Sequence, residues 1–155
     1  MLLYEDTLVI RPEQTRTNIV LEIVSPRDFD RLVIDACYHP VRVTDPDTVR
    51  RMTREGRLRY GLQREGDEDL PYELCPEISN MVTLSLDIAG RFCGSAHRHA
   101  ARQRIEVSEE NATPGFHRMR PVRGVWRITL PVHLVAGTDV TYSIRVQGLE
   151  GGTEA

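Results

Sequence analysis

Residues 92–130 read FCGSAHRHAARQRIEVSEENATPGFHRMRPVRGVWRITL, and two segments of this stretch decide the fold. In residues 124–130 (GVWRITL) Trp126, Ile128 and Leu130 fall on one side of an extended chain, and Val125, Arg127 and Thr129 on the other. That is the period-two signature of a half-buried strand. Residues 103–108 (QRIEVS) read the same way. Between them lies a long loop, 109–123, with a Thr113-Pro114-Gly115 turn. There proline presets φ and glycine accepts a positive φ. Upstream, residues 90–101 read as a polar loop holding Gly94-Ser95-Ala96 and His97-Arg98-His99. Trp126, the only tryptophan, reads as a core anchor on an alternating strand; the other reading is an exposed platform for stacking a sugar.

Outward from this stretch the pattern repeats. Residues 81–88 (MVTLSLDI), 17–24 (TNIVLEIV), 31–37 (RLVIDAC) and 140–146 (VTYSIRV) alternate, rich in β-branched side chains. Residues 7–10 stop at Pro12 and predict an edge strand, since proline cannot donate to a ladder. Residues 41–43 add a short extended piece. The clearest helix start is Thr44-Asp45-Pro46-Asp47. Asp45 suits the N-cap, Pro46 the first helical position, and Asp47 the positive end of the dipole. The predicted helix spans about 45–62, ending near Gly56 or Gly61, with a thin apolar stripe of Val49, Met52 and Tyr60. Arg50, Arg51, Arg54, Arg57, Arg59 and Arg64 are followed by Glu65, Asp67, Glu68, Asp69, Glu73 and Glu77. The two runs are expected to neutralise each other, with 65–78 a long connection.

About seven strands broken by turns predict an all-β antiparallel β-sandwich with Greek-key or jelly-roll-like connections. The expected organisation is one domain, 1–148, with a helix and charged-loop excursion at 44–78 and a flexible tail at 149–155. A length of 155 residues suits one domain with a real core, and 40% hydrophobic with 28% charged residues is ordinary globular composition. The net charge of −3 predicts no general attraction to nucleic acid. No apolar run is long enough to cross a bilayer, and the first residues lack a secretory pattern, so no membrane partner and a cytoplasmic location are expected. All twenty basic residues are arginine. Cys37, Cys75 and Cys93 lack a C-x-x-C and read as reduced thiols.

The order of residues 84–116, then 122–135, then 140–148 resembles the N-terminal β-sandwich domain of the CehA/McbA family of metallohydrolases. The matching features are Asp87-x-x-Gly90, Arg91-Phe92-x-Gly94, residues 107–115, Gly124-x-Trp126 and Tyr142-x-Ile144-x-Val146. The likeness covers 80–148 well and 5–43 loosely, and leaves 44–78 out. The resemblance implies a sandwich fold and, as partner, a separate PHP-type metallohydrolase domain. In that family the metal chemistry belongs to the barrel that follows the sandwich. His97-Arg98-His99 is formally an H-x-H, but it precedes the Gly124-x-Trp126 strand, so no catalytic residue is carried over.

Two constellations invite chemistry of their own. In an extended segment His97 and His99 point to one side. With His117, His133 or Asp87 they could ligate zinc; the bland reading is hydrogen-bonded loop histidines. Arg91, His97, Arg98, His99, Arg102 and Arg104 form a basic ligand-binding candidate for phosphate or carboxylate, with Arg118, Arg120, Arg123 and Arg127 near it if the strands pair. The alternative is arginines paired with Glu106, Glu109 and Glu110. Ser95 and Ser108 lack a G-x-S-x-G elbow. Cys93 is a nucleophile or, more simply, packing. The leading expectation is a non-catalytic accessory or interaction module without a cofactor. It would bind a partner protein or a small anionic or carbohydrate ligand. A small metal-dependent, phosphoesterase-like hydrolase is the alternative. Self-association through the 7–10 edge is a third possibility.

Overall fold

The computed structural model describes residues 1–96 and 100–150. Strand β10 (Gly124–Leu134) is its central element. It pairs with β2 (Thr17–Ser25) on one side and with β7 (Leu84–Ile88) and β6 (Met81–Val82) on the other. The hairpin partner β8 (Arg91–Ala96) completes this sheet in the order β2-β10-β7-β8. The facing sheet runs β1-β11-β3-β9, from β1 (Leu2–Ile10), β11 (Val140–Leu149), β3 (Arg31–His39) and β9 (Arg102–Ser108). Every pairing is antiparallel. Among the eight long strands the first pairs with the last, the second with the next to last, the third with the third from last, and the middle two form a hairpin. That is a jelly roll: one long hairpin folded over into two sheets.

The core follows from strand alternation. Trp126, Ile128 and Leu130 point inward and are fully buried, with Leu84, Leu86 and Ile88 beside them. Leu32, Ile34, Ile105, Ile144 and Val146 face them from the other sheet. Trp126 is therefore core, as its place on the strand predicts. Its indole N–H donates to the Val122 carbonyl at 2.8 Å, and its ring meets Phe29 edge-on at 6.3 Å. Phe29 in turn fills the space above Gly148, where a Cβ would lie 2.5 Å from the ring. Tyr38 and Tyr142, directly opposite in register, stack at 6.3 Å.

Four sequence expectations are corrected. Residues 91–96, read as part of a polar loop, form β8. The Ala89-Gly90 turn has φ of 48° and 79°, so it is a tight two-residue turn of the primed type, with alanine where asparagine would announce it. Residues 81–88 are two strands, β6 and β7. The break faces Pro131, whose missing N–H interrupts the ladder within β10. Strand β11 continues through Gly148 to Leu149, paired with Leu32 and Arg31, so the tail does not begin there. Tyr60 caps the helix and is exposed instead of joining the stripe.

The excursion carries β4 (Arg42–Val43), α1 (Pro46–Arg59) and β5 (Ile78–Ser79). Asp45 is the N-cap, accepting from the Thr48 N–H at 2.9 Å. Val49 is the helix's single buried residue. The acid–base neutralisation is seen at Arg54, which pairs with Asp69 at 2.5 Å and Glu65 at 3.3 Å. Buried Gln63 organises the following loop, accepting from the Arg57 Nε–H and donating to Asp69. Gln63 and then Arg54 hold the Asp69 carboxyl below the usual carboxylate range.

Asn80, buried, ties this excursion to the sandwich. Its side-chain NH2 donates to the Pro40 carbonyl at 2.9 Å, and its side-chain oxygen accepts from the Ala136 N–H at 2.6 Å. Its own carbonyl accepts from the Tyr38 hydroxyl at 3.0 Å. One residue thus joins the β3 exit, the β5–β6 corner and the β10–β11 turn.

Candidate functional site

Each sheet has an inner face, shared in the core, and an outer face turned to solvent. On the outer face of β1-β11-β3-β9 the register sets Glu5, Arg145, Asp35 and Arg104 in one row across four strands. Arg104 donates to both Asp35 oxygens at 3.0 Å and to Glu106 at 2.9 Å, and Arg145 lies 3.9 Å from Glu5. The next row is Thr7, Ser143, Cys37 and Arg102, with the Thr7 and Ser143 hydroxyls 3.2 Å apart. Together the rows floor a shallow depression. Alternating charges hold one another there, and Glu106 with Asp35 raises the pKa of the Arg104 guanidinium.

The outer face of β2-β10-β7-β8 is built differently. Its middle row is Glu22, Arg127, Asp87 and Phe92, with Arg127 donating to Glu22 at 2.8 Å. Val24 stands opposite Val125, and Val20 opposite Thr129. Val24 is 71% exposed, Phe92 57%, Val20 50% and Val125 48%. Four large apolar side chains therefore stand in water on one face, around a single ion pair.

The predicted ligand-binding residues divide between these faces. Arg102 and Arg104 share the polar face. Arg91 lies in the other sheet, paired with Ile88 at the far end of β8 from the connection to β9. His97, Arg98 and His99 lie outside the described residues. Arg127 is on the apolar face, bound to Glu22, and Arg118 donates to the Glu110 carbonyl at 3.4 Å. Arg104 takes its partners from Asp35 and Glu106, as the pairing alternative expects in part.

Of the candidate metal ligands, the described ones lie on separate elements. His117 is exposed after the Gly115 turn, its backbone N–H donating to the Cys93 carbonyl at 2.7 Å. His133 is on β10, its Nε2 2.9 Å from the Thr83 hydroxyl. Among the described residues no group of three His, Cys, Asp or Glu side chains could hold a metal ion.

Two of the nucleophile candidates, Cys93 and Ser108, are engaged otherwise. Burial pushes the Cys93 thiol up to about 11, and a thiol neutral at physiological pH is a poor nucleophile. The Ser108 hydroxyl donates to the Asn111 carbonyl and accepts its N–H. Ser95 pairs across the sheet with Ser85. Trp126 is fully buried and offers no stacking platform.

Sequence reasoning missed Asn80, because an asparagine at a corner looks like any turn residue until three separate segments converge on it. It also missed that Phe92 points outward. A bulge between Leu86 and Asp87 shifts the register opposite β8, so Phe92 and Ser95 are exposed while Cys93 and Gly94 are both buried. The glycine is needed there, since a Cβ on Gly94 would overlap the Gly115 carbonyl and the Phe116 Cα.

No helix among the described residues is long and apolar enough to cross a membrane. Comparison with protein-family models, with curated proteins and with solved structures finds no match to this chain. The likeness to the sandwich domain of CehA/McbA metallohydrolases accordingly stands on its sequence features alone.

Proposed function

We propose that the chain is a non-catalytic interaction module. It docks a folded partner domain on the outer face of β2-β10-β7-β8. The observation that carries this reading is the exposure of Val20, Val24, Phe92 and Val125 on one sheet face. Isolated apolar side chains on a surface need no explanation, but a cluster on one face marks an interaction site. The Glu22–Arg127 pair within the cluster supplies the polar element that gives such interfaces orientation. The occupant is a PHP-type metallohydrolase domain, the partner that the sequence resemblance implies.

The test is to mix the purified chain with a purified PHP-type barrel and follow the complex by sedimentation and hydrogen exchange. Amide protection over 20–25, 92–95 and 124–127 is expected, and loss of the complex in Val24→Lys/Phe92→Lys. Protection confined to the β1-β11-β3-β9 face would sink the assignment. So would the absence of a complex at about 100 μM, or a second copy of the chain occupying the face.

A further inference from the structure

Several arginines of this protein are neutralised by neighbouring acids. Arg27, Arg42, Arg104, Arg127 and Arg145 each pair with a carboxylate, as does Arg54 twice. One region gathers arginines of which three make no ion pair among the described residues. A cleft of about 670 Å3 opens between helix α1 and the end of the sandwich. Such a volume is within the range of small-molecule sites, roughly 300–1,000 Å3. Its walls bring together four arginines, Arg16, Arg51, Arg57 and Arg59, with one carboxylate, Glu55.

The carboxylate is taken by Arg51 at 3.3 Å. Arg57 donates to neutral oxygens, the Gln63 side chain at 3.1 Å and the Leu62 carbonyl at 3.2 Å, and makes no ion pair among the described residues. Arg16 and Arg59 make no ion pair among the described residues. The lining also brings apolar Met52, Ile78, Leu134 and Val135, beside Thr15, Thr53 and His133, with Tyr60 and Leu62 as well. Tyr60 is 70% and Leu62 66% exposed, unusual for two large side chains beside one opening.

A second observation is independent of the charges. Arg16 has φ of 70°, the left-handed region that favours glycine. Its N–H donates to the Val132 carbonyl at 2.6 Å, which fastens the strained residue to β10. Strain of this kind persists where the surroundings impose it, and it collects at binding sites. Glycine would hold the same turn without strain, yet the position carries an arginine that lines the cleft.

We propose that this cleft binds a small amphipathic anion, a carboxylate or phosphate monoester carrying an aliphatic or aromatic body. The guanidinium groups of Arg16, Arg57 and Arg59 take the anionic head, for which their planar donor pairs are suited. The apolar body lies over Met52, Leu134 and Val135. This site is separate from the docking face, and either assignment stands if the other fails.

The experiment is calorimetric titration of the full chain with octanoate and octyl phosphate. Octanol serves as the neutral body, and acetate and inorganic phosphate as bare heads. At least one octyl anion is expected to bind about tenfold or more tightly than octanol or either bare anion. Octanoate and octyl phosphate then separate a carboxylate from a phosphate preference. Arg59→Gln is expected to weaken binding about tenfold. Arg16→Gly is expected to weaken it similarly while leaving the melting temperature equal or higher, because glycine relieves the positive φ. Loss of binding without loss of stability excludes misfolding as its cause. Arg104→Gln, on the opposite sheet, should leave affinity unchanged. The proposal is overturned by equal binding of octanol and the octyl anions, by undiminished binding to Arg16→Gly, or by no binding of either anion at about 10 mM.

Discussion

The two outer sheet faces are made by the same rule and finished in opposite ways. In both, alternate residues point away from the core, except where the bulge interrupts β8. On β1-β11-β3-β9 those residues include Glu5, Arg145, Asp35 and Arg104, a row of alternating charge, with Val9 an exposed apolar side chain on the edge strand. On β2-β10-β7-β8 they include Val20, Val24, Phe92 and Val125, with Glu22 and Arg127 as the ion pair among them. The difference teaches where a fold ends and a function starts. Burying the inner faces sets the fold and is indifferent to what stands outside. A charged row contributes little stability, since exposed pairs are worth about 0–1 kcal/mol, but it keeps the face solvated. The apolar face has no such role in folding, and its side chains gain only when something covers them.

The sharpest way to break this comparison is to show that the faces do not share one interior. Trp126→Ala is expected to cost about 3–5 kcal/mol in urea denaturation. Its loss should lower amide protection in both sheets together, because Phe29, which the indole touches, sits over Gly148 of the other sheet. Loss confined to β2-β10-β7-β8 would show two separately stable layers.

Next in size is Asn80→Ala, expected to cost about 2–3 kcal/mol, since the buried Ala136 N–H and the Pro40 carbonyl would both lose their partner. Asn80→Asp should retain part of the stability, because a carboxylate still accepts from Ala136 but cannot donate to Pro40. Equal loss in both variants would mean that the space at this corner matters, not its hydrogen bonds.

The faces themselves should respond weakly in stability and unequally in association. Val24→Lys/Phe92→Lys and Arg104→Ala are each expected to shift unfolding by about 1 kcal/mol or less. Only the former should abolish docking of the partner domain. If Arg104→Ala weakens docking as much, the contrast between the faces is wrong.

The smallest effect is local and depends on pH. Hydrogen bonds to Thr48 depress the Asp45 pKa, and those from Gln63 and then Arg54 depress that of Asp69, both from the ordinary 3.8. Their folded values lie below the unfolded one, so the stabilisation is fully present above about pH 4. It is lost as pH falls through the depressed folded values. Hydrogen exchange on acidification should therefore show α1 and residues 63–69 opening before Trp126 fluorescence changes. Simultaneous loss would place these caps in the global unfolding unit.

Much of this could be read along the chain. The alternation in 17–24, 31–37, 103–108, 124–130 and 140–146 marked strands that all form, and the Asp45-Pro46 start marks the helix. Strand β8 was hidden because a turn of Ala89-Gly90 lacks the asparagine that signals a primed turn, and a bulge spoils the period-two pattern beside it. The basic candidate was legible only as a list of residue types. Neighbours in sequence, Arg91 and Arg102, belong to different sheets, while Arg104 finds Asp35, far away in the chain.

What residue order determined by itself was the local physics: which side chains share a face of a strand, where a proline or a capping aspartate starts or stops an element, and the absence of a lysine. Those properties depend on backbone sterics and on spacings of two or four residues. What only the tertiary structure decided was company. Which outer face carries the charged rows and which exposes Val20, Val24, Phe92 and Val125, the convergence of three segments on Asn80, and the cleft that Arg16 lines with Arg57 and Arg59 all depend on segments brought together from across the chain. Register and packing set them, and neither is written in any single stretch of the sequence.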